Sequence, residues 1–412
     1  MKHQVMSMKD RAAIVNRWLH SRLNQLLPEL MKRTEFDMWI VSGRENNEDQ
    51  LLLSMLPDPI PSARRRTVLV FCRKNDGSID RLHLGPSSPG MDPFYRSIRE
   101  DKQSDQWKCL AEVVKQYNPV KIGINKSPNF AGADGLSATD AAHINDALGD
   151  YASRLCSAEN LAAGWLEQRL PEEIEAYHTI CNIAHNIICR AFSQEVVIPG
   201  ASSALDVAWW MRQEIADLGL TAWFQPTVDI QRQGKEELPD NEIIRSGDVL
   251  HCDIGLKYLR LCTDTQQLAY VRRPGEQRVP EEIELALSRG NKLQDITASQ
   301  FQEGLTGNQV LTASLEMAKE AGLEAKVYTH PIGFHGHGTG PTMGLYEKQE
   351  NIPGSGDYPI FENTCYALEL NIKHPLKIWA GQKLMVALEQ TVAFSDNRVL
   401  YPDGRQTKML VI

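Results

Sequence analysis

The chain has 412 residues, and its 44 lysines and arginines against 53 aspartates and glutamates give a formal charge of −9. At about 100 to 200 residues per domain, this length predicts two or three domains that each bury a core, and the mixed composition excludes disordered and fibrous proteins. The negative charge argues against nucleic acid or an anionic membrane as a partner, because both require a basic surface.

The eight cysteines are scattered along the chain, with no Cys-x-x-Cys pair. This pattern is typical of reduced thiols in a hydrophobic core rather than of a disulfide framework. Residues 1–32 keep polar residues throughout and lack the apolar segment of a signal peptide. No run reaches the roughly 18 apolar residues that a membrane span requires. We therefore expect a cytoplasmic protein.

The first part of the chain alternates helical and strand patterns. Residues 11–31 have apolar side chains at near-helical spacing, which predicts an amphipathic helix. Residues 36–42 are typical of a strand, and residues 66–72 and 79–84 flank an Asn-Asp-Gly turn as a β-hairpin. We expect a smaller α/β domain over residues 1–165.

A second domain is predicted over residues 166–412. Pro171 followed by acidic residues begins a helix, and residues 199–203 break the chain and cap a second helix that ends near Gly219. A third helical stretch over residues 281–322 is interrupted by turns. The remaining predicted strands cover residues 248–255, 259–271, 326–330, 365–372 and 383–394.

Three acidic residues lie in the middle of apolar, buried-type strands. They are Asp253, Glu369 and Glu389. An unpaired buried charge is too costly to persist, so each of these carboxylates requires a cation, a proton or hydrogen-bond donors. A single acid in a strand more often faces solvent or is satisfied locally, but the joint occurrence of three favours a site.

Asp264 completes the acidic set if the intervening turn centres on Tyr258 and Leu259. Asp264 would then oppose Asp253 across a hairpin, at about 5 Å, and a divalent metal is the simplest cation to relieve their repulsion. A turn at residues 256–257 would offset the pair.

Imidazole ligands are available in residues 330–340, where His330, His335 and His337 occur among alternating glycines. Four carboxylates and one neutral imidazole balance two divalent cations in charge. Ligation mostly by oxygen suits Mn²⁺, Co²⁺ or Fe²⁺ at least as well as Zn²⁺. The sequence contains neither a phosphate-binding loop nor a Gly-x-Ser-x-Gly nucleophile motif, which argues against those two chemistries.

The order of these motifs resembles the five-ligand signature of the pita-bread metallopeptidases, the family of methionine aminopeptidase, prolidase and Xaa-Pro aminopeptidase. The resemblance covers residues 167–412 and includes the helix start at 171–174 and the closing Asp403-Gly404-Arg405. It implies an α+β protein with a C-terminal pita-bread domain. The preceding α/β region resembles the creatinase-type N-terminal domain of the proline-specific branch.

The resemblance implies that two divalent metal ions are held by Asp253, Asp264, Glu369, Glu389 and one histidine, with Asp264 and Glu389 bridging. It also implies two-metal hydrolysis, in which Glu369 carries a proton to the leaving amine.

The histidine ligand has two candidates in this motif. His337 fits the Gly-His-Gly-x-Gly form and is the preferred ligand, although His335 also fits. We assign His335 to the catalytic machinery through substrate contact.

Two histidines of the relatives are missing here. There is none between Val228 and Leu250, and Tyr346 stands where a second is expected. Because those histidines contact substrate in relatives, Tyr346 becomes the predicted substrate contact and specificity for proline does not carry over.

The first hypothesis is a dinuclear metal-dependent exopeptidase acting on short peptides, similar to Xaa-Pro aminopeptidase or dipeptidase, with manganese favoured over cobalt, zinc or iron and a homodimer as the assembly. The alternative is a creatinase-like amidinohydrolase or a metal-dependent lyase acting on a small molecule. A binding module without activity is the third hypothesis, and retention of all five ligands counts against it.

Overall fold

A computed structural model describes residues 5–98 and 105–412 of the chain. Its packing divides the chain into two units. The first is Ser7–Leu170, and the second is Pro171–Ile412 together with the described residues before Ser7. The residues outside the described ranges belong to the predicted first domain, residues 1–165. None of the helices in the described ranges is long and apolar enough to cross a membrane.

The first unit is built from six α-helices and a six-stranded sheet, with all elements counted over the described residues. The helices are α1 (Met8–Ser21), α2 (Leu27–Arg33), α3 (Gln50–Met55), α4 (Gln106–Tyr117), α5 (Ala138–Leu148) and α6 (Glu159–Glu167), and a π-helical turn (Arg22–Leu26) joins α1 to α2. The strands are β1 (Met38–Arg44), β2 (Arg66–Arg73), β3 (Ile79–His83), β4 (Arg96–Ser97), β5 (Ile122–Ile124) and β6 (Leu155–Ser157).

The sheet of the first unit has the strand order β4-β3-β2-β1-β5-β6. The predicted hairpin is confirmed as β2 and β3, and Gly77 in its turn has a φ of 83°. That left-handed conformation carries no steric cost for glycine. Met38 and Ile40 of β1 pack in a hydrophobic cluster with Leu110 of α4 and Ile144 of α5, so helices cover this face of the sheet.

The second unit contains four α-helices and the remaining strands of the described chain. The helices are α7 (Pro171–Ala191), α8 (Ala204–Asp217), α9 (Glu281–Ser299) and α10 (Gly307–Glu320). The strands are β7 (Thr221–Ala222), β8 (Thr227–Gln231), β9 (Val249–Ile254), β10 (Leu256–Tyr258), β11 (Leu261–Cys262), β12 (Thr265–Tyr270), β13 (Ala325–Val327), β14 (His330–Pro331), β15 (Thr364–Pro375), β16 (Lys383–Ser395), β17 (Arg398–Leu400) and β18 (Leu410–Val411).

The main sheet of the second unit runs in the order β13-β15-β16-β12-β9-β8, and a smaller one runs β11-β10-β7. The predicted cap of α8 is confirmed, because the Ser203 side chain accepts from the backbone N–H of Asp206 and the Asp206 carboxylate accepts in return. This reciprocal capping satisfies N–H groups that the first turn of a helix leaves unpaired.

One face of the main sheet packs against α9. Leu370 of β15 and Leu388 of β16 lie in a hydrophobic cluster with Leu287 of α9. Because successive side chains of a strand point to opposite faces, Glu369 and Glu389 point away from this core. The alternation therefore places both glutamates on the face of the sheet opposite α9.

Candidate active site

Four polar side chains form a row across adjacent strands of the main sheet. Asp253 of β9 opposes Gln266 of β12, Gln266 opposes Glu389 of β16, and Glu389 opposes Glu369 of β15. Directly opposed residues of antiparallel strands point to the same face of the sheet. The row therefore brings together acids that are more than 100 residues apart in the chain.

His330 and Asp264 complete the cluster. His330 lies on β14 and opposes Ala367, two residues before Glu369, so it shares the face of that glutamate. Its Nε2 is 3.7 Å from Asp264 Oδ2, 3.7 Å from Glu389 Oε1 and 3.9 Å from Glu369 Oε2. Ligand atoms of Asp264, His330 and Glu389 all lie within 4.8 Å of one another, a spacing that fits one metal ion.

Each of these groups has a buried atom without a hydrogen-bond partner. Asp264 is 4% exposed and Glu389 is 1% exposed. Over residues 5–98 and 105–412, the unpartnered buried atoms include Asp253 Oδ1, Asp264 Oδ1, His330 Nε2 and Glu389 Oε1. Buried polar atoms are normally paired. Unpaired atoms on four neighbouring ligand-type side chains are typical of a cation site, and their oxygen-rich chemistry fits a divalent metal.

The pKa shifts of the clustered side chains also support a cation site. Burial raises the pKa of Asp253 to about 6, and burial together with the charge of Glu389 raises the pKa of Glu369 to about 9. Burial also raises the pKa values of Asp264 and Glu389 well above the usual range and lowers that of His330. Without a cation, these acids therefore keep their protons to a higher pH than usual, and burial favours the neutral form of His330, the form that a metal ligand requires.

Gln266 is a site residue that sequence reasoning missed. Its Nε2 donates to Glu369 Oε1 at 2.6 Å and to Glu389 Oε2 at 3.0 Å, and its Oε1 accepts from His251 Nε2 at 2.9 Å. His251 Nδ1 in turn lies 3.3 Å from Asp229 Oδ2. Burial opposes protonation of His251. The hydrogen bond to Asp229 and the negative charge of Asp229 outweigh this effect and raise the pKa of His251.

A signal for Gln266 was present in the sequence. It is a polar residue in a strand predicted to be buried, and it follows Asp264 by two positions, which is the spacing of a shared strand face.

Comparison with known sequences and structures identifies the family. The model of metallopeptidase family M24 matches residues 175–396, more than half of the chain. The chain belongs to metallopeptidase family M24. The predicted resemblance to the pita-bread metallopeptidases is confirmed, and the chain is a metal-dependent peptidase by family. No curated protein matches the chain in sequence.

Solved structures share the fold of this M24 member. An X-Pro aminopeptidase from Thermotoga maritima has a TM-score of 0.67 and 16% identity, over 93% of this chain and 100% of that chain. Dipeptidase PepE from Mycobacterium ulcerans has a TM-score of 0.65 and 15% identity, over 97% and 98% of the two chains. The N-terminal domain of the FACT complex subunit SPT16 from chickpea, Cicer arietinum, has a TM-score of 0.59 and 13% identity, over 96% and 98%. The predicted fold class is confirmed.

The turn before Asp264 differs from the predicted one. Leu259 and Arg260 have φ values of 52° and 66°, so the turn centres on these two residues, one position later than expected. The register therefore pairs Asp253 with Gln266. The predicted cross-strand pairing of Asp253 with Asp264 was wrong.

Of the histidines in the motif of this M24 member, the structure brings His330 among the acids, and a ligand role for His337 stays a prediction. The physical reason is strand pairing, because β14 holds His330 beside β15, whereas His335 and His337 follow in a loop. The His337 ring is instead 4.7 Å from the His330 ring and 5.1 Å from that of Trp223. The catalytic role of His335 stays a prediction; its carbonyl accepts from the Gly333 N–H. The sequence signal for His330 is the predicted strand over residues 326–330, which ends at this histidine.

The glycines of the histidine motif allow close packing. A Cβ at Gly336 would lie 2.1 Å from the Trp223 ring, which no side chain tolerates. Trp223 is fixed by its Nε1, which donates to the Thr263 carbonyl at 2.9 Å. The missing side chain at Gly336 thus lets Trp223 reach His337 and form an aromatic wall beside His330.

Tyr346, the predicted substrate contact, packs against Tyr328 and Lys326 rather than against the acids of the row. Its ring packs edge to face on Tyr328 at 5.2 Å, and Lys326 Nζ lies 4.1 Å from its centroid. It is 43% exposed. Tyr328 connects it to the site, because the backbone N–H of Tyr328 donates to the carbonyl of Glu369. A role in substrate binding stays a prediction.

Proposed function

We propose that this chain is a metal-dependent exopeptidase that hydrolyses short peptides in the manner of Xaa-Pro aminopeptidases and dipeptidases. The observation that carries the proposal is the convergence of buried, unpartnered ligand atoms from Asp253, Asp264, His330 and Glu389. The solved structures that share its fold include an X-Pro aminopeptidase and a dipeptidase, which supports the choice of substrate class.

The residues support two divalent cations, one among Asp264, His330 and Glu389 with Glu369 beside them, and a second next to Asp253. Mn²⁺ is favoured, with Co²⁺, Fe²⁺ and Zn²⁺ as alternatives, because the donors are carboxylate oxygens and a single imidazole. When bound, such cations lower the pKa of a water molecule and polarise the peptide carbonyl.

Glu369 is the proposed proton carrier. Its pKa of about 9 in the absence of a cation reflects burial and the charge of Glu389, so this carboxyl group changes its protonation readily when neighbouring charges change. It is positioned by Gln266 on one oxygen and by the neighbouring strand through its backbone. A group held in this way can take a proton and deliver it to the leaving amine.

The substrate lies along the aromatic wall of Trp223 and His337 in this proposal. Burial lowers the pKa of His337, so a neutral imidazole is available there to hydrogen-bond a peptide carbonyl or amide. Proline specificity is not assigned, since Tyr346 replaces a histidine that contacts substrate in relatives. A homodimer and a cytoplasmic location belong to the same proposal.

The decisive experiment is turnover of a dipeptide and tripeptide panel, including Xaa-Pro members, against a panel of guanidino compounds with added Mn²⁺. We expect hydrolysis of peptides by the wild type and by Glu316→Gln, a change of an exposed acid on α10, and none by Asp264→Ala. Turnover of guanidino compounds alone would favour the amidinohydrolase alternative. Full peptide hydrolysis by Asp264→Ala would refute the site.

A further inference from the structure

Four arginines line one cavity of the first unit. They are Arg44 of β1 and the consecutive Arg64, Arg65 and Arg66, the last of which begins β2. This arginine cavity has a volume of about 690 Å³, which lies in the range of small-molecule sites. Four cations around one cavity contrast with the chain as a whole, whose formal charge is −9.

Strand pairing brings two of these cations together. Arg44 of β1 directly opposes Arg66 of antiparallel β2, so both side chains project from the same face of the sheet. The N–H of Glu45 also donates to the carbonyl of Arg65 at 2.8 Å, which holds the run of arginines beside the end of β1. Like charges that oppose each other across two strands repel, so this pair favours a negative partner.

One buried acid supplies part of the negative charge. An oxygen of Asp140 lies 3.2 Å from Arg66 Nη2 and 3.9 Å from Arg44 Nε. Within the described residues, Arg64 and Arg65 form no ion pair. In the same part of the chain, the Nε atoms of Arg44 and Arg66 are buried without a hydrogen-bond partner. A single carboxylate among four guanidinium groups leaves an excess of three positive charges.

Arg66 is held in place by its neighbours. Its guanidinium carbon lies 4.9 Å from the centroid of the Trp107 ring, in a cation–π contact, and its Nη2 donates to Asp140. The backbone of the nearby Arg64 is fixed as well, because its N–H donates to Thr67 Oγ1 at 3.3 Å. Groups that are already ordered lose less conformational entropy when a ligand binds.

The arginine cavity also has an apolar wall. Leu56, Ile60 and Met91 line it together with the arginines, and Leu56 and Met91 are buried. An inorganic anion has no group that covers this wall, whereas an organic anion covers it and gains hydrophobic stabilisation. The combination of cations and an apolar wall therefore indicates an organic anion.

We propose that the first unit binds an organic phosphate monoester in the arginine cavity, with the phosphate at the arginines and its organic part against Leu56, Ile60 and Met91. A phosphate monoester has a charge of about −1.5 to −2 at neutral pH, and guanidinium groups bind phosphate through paired N–H donors. A single carboxylate matches an excess of three positive charges less well. This binding site is independent of the acid row and of the proposed function.

The test is isothermal calorimetry of the full chain with phenyl phosphate, inorganic phosphate and benzoate, on metal-free protein and again after loading with Mn²⁺. We expect phenyl phosphate to bind at one site per chain, at least about tenfold more tightly than the other two. Inorganic phosphate lacks the apolar part, and benzoate has the ring but only one charge. The affinities should be equal with and without Mn²⁺, because no residue of the acid row lines the arginine cavity.

The double variant Arg64→Gln/Arg65→Gln should weaken the binding of both phosphates by at least about tenfold and leave metal content unchanged. Ile60→Ser should weaken phenyl phosphate but not inorganic phosphate, and it serves if the double variant does not fold. The matched control is Arg278→Gln/Arg398→Gln, which removes the same charge from two exposed, surface-paired arginines of the second unit. This control should bind phenyl phosphate as the wild type does.

Several results would overturn the inference. They are absence of phenyl phosphate binding, equal affinity in the wild type and the Arg64→Gln/Arg65→Gln variant, and binding that requires Mn²⁺, which would place the phosphate at the acid row. Benzoate that binds as tightly as phenyl phosphate would overturn the choice of phosphate. A single-stranded oligonucleotide that displaces phenyl phosphate at lower concentration would overturn the choice of a small ligand. The proposed function is tested separately, through peptide turnover.

Discussion

Buried carboxylates occur in both units of the molecule, and their surroundings differ. In the first unit, Asp140 accepts from Ser42 Oγ at 2.8 Å and from Arg66 Nη2 at 3.2 Å, and Asp49 accepts from the Leu51 N–H and from Asn125. In the second unit, the acids of the row face one another and His330 with several oxygens unpaired in the part of the chain that the structure describes.

A raised pKa alone does not distinguish a metal-site carboxylate from a structural one. Burial raises the pKa of Asp49 to about 6, the same value that it gives Asp253. What separates them is satisfaction by donors, because Asp49 has partners for its oxygens and caps α3, whereas Asp253 Oδ1 has none among the described residues. A carboxylate whose oxygens have donors stabilises a fold, and a cluster of carboxylates that keeps unpaired oxygens favours binding of a cation.

The largest effect should come from substituting an acid of the row that has an unpaired oxygen. Glu389→Gln removes a charge but keeps the shape of the side chain. A substitution outside the ligand shell typically lowers metal affinity or activity by roughly 10- to 100-fold, and we expect this one to lower metal affinity and peptide turnover by more. The metal-free variant should be at least as stable as the metal-free wild type, because an unpaired buried acid has been replaced. Elemental analysis and thermal unfolding measure both, and normal metal content would contradict the assignment.

The second-largest effect should be on the pH dependence of the free energy of unfolding, which metal binding should reverse. The folded-state pKa values of about 6 for Asp253 and about 9 for Glu369 exceed their ordinary values, so these groups stabilise the metal-free protein at low pH. That stability is fully present below pH ~4 and is lost as pH rises through 6 and 9. With Mn²⁺ in excess, the trend should reverse, since deprotonation frees the ligands.

Urea unfolding between pH 5 and pH 9, with and without Mn²⁺, measures this reversal. Glu369→Gln, which cannot titrate, should flatten the upper part of the metal-free curve. Parallel curves with and without metal would argue that the row does not bind a cation.

A smaller effect is expected from the satisfied carboxylate of the first unit. Asp140→Ala leaves Arg66 and Ser42 without their buried partner and should lower the free energy of unfolding by about 1–3 kcal/mol. Metal content per folded chain should stay at the wild-type level, because Asp140 lies in the other unit. Loss of metal from folded Asp140→Ala protein would remove the distinction between the two classes of acid.

The smallest effect on stability should come from Tyr346. Because this residue is about half exposed, Tyr346→Ala should change the free energy of unfolding by less than about 1 kcal/mol. If Tyr346 contacts substrate, KM should rise while kcat and metal content stay close to wild type. Unchanged kinetics across the peptide panel would remove it from the substrate site.

Much of the site could be predicted because burial of an acid is visible locally. Asp253, Glu369 and Glu389 were found as charges inside apolar strands, and the structure brings all three into one row. The Gly-His-Gly motif favours His337 as the ligand, whereas the strand that ends at His330 brings that histidine beside the acids. Gln266 was missed because a neutral amide in a strand carries no comparable electrostatic cost.

The sequence by itself determined that apolar strands carry acids, and therefore that something must neutralise them, because a buried charge without a partner is unstable in any fold. Only the tertiary structure decided which residues oppose one another. The turn at Leu259 and Arg260 sets the partner of Asp253, and the pairing of β12 with β16 joins Gln266 to Glu389 across 123 positions of sequence. Such pairing depends on hydrogen-bond register between distant strands, which local patterns do not encode.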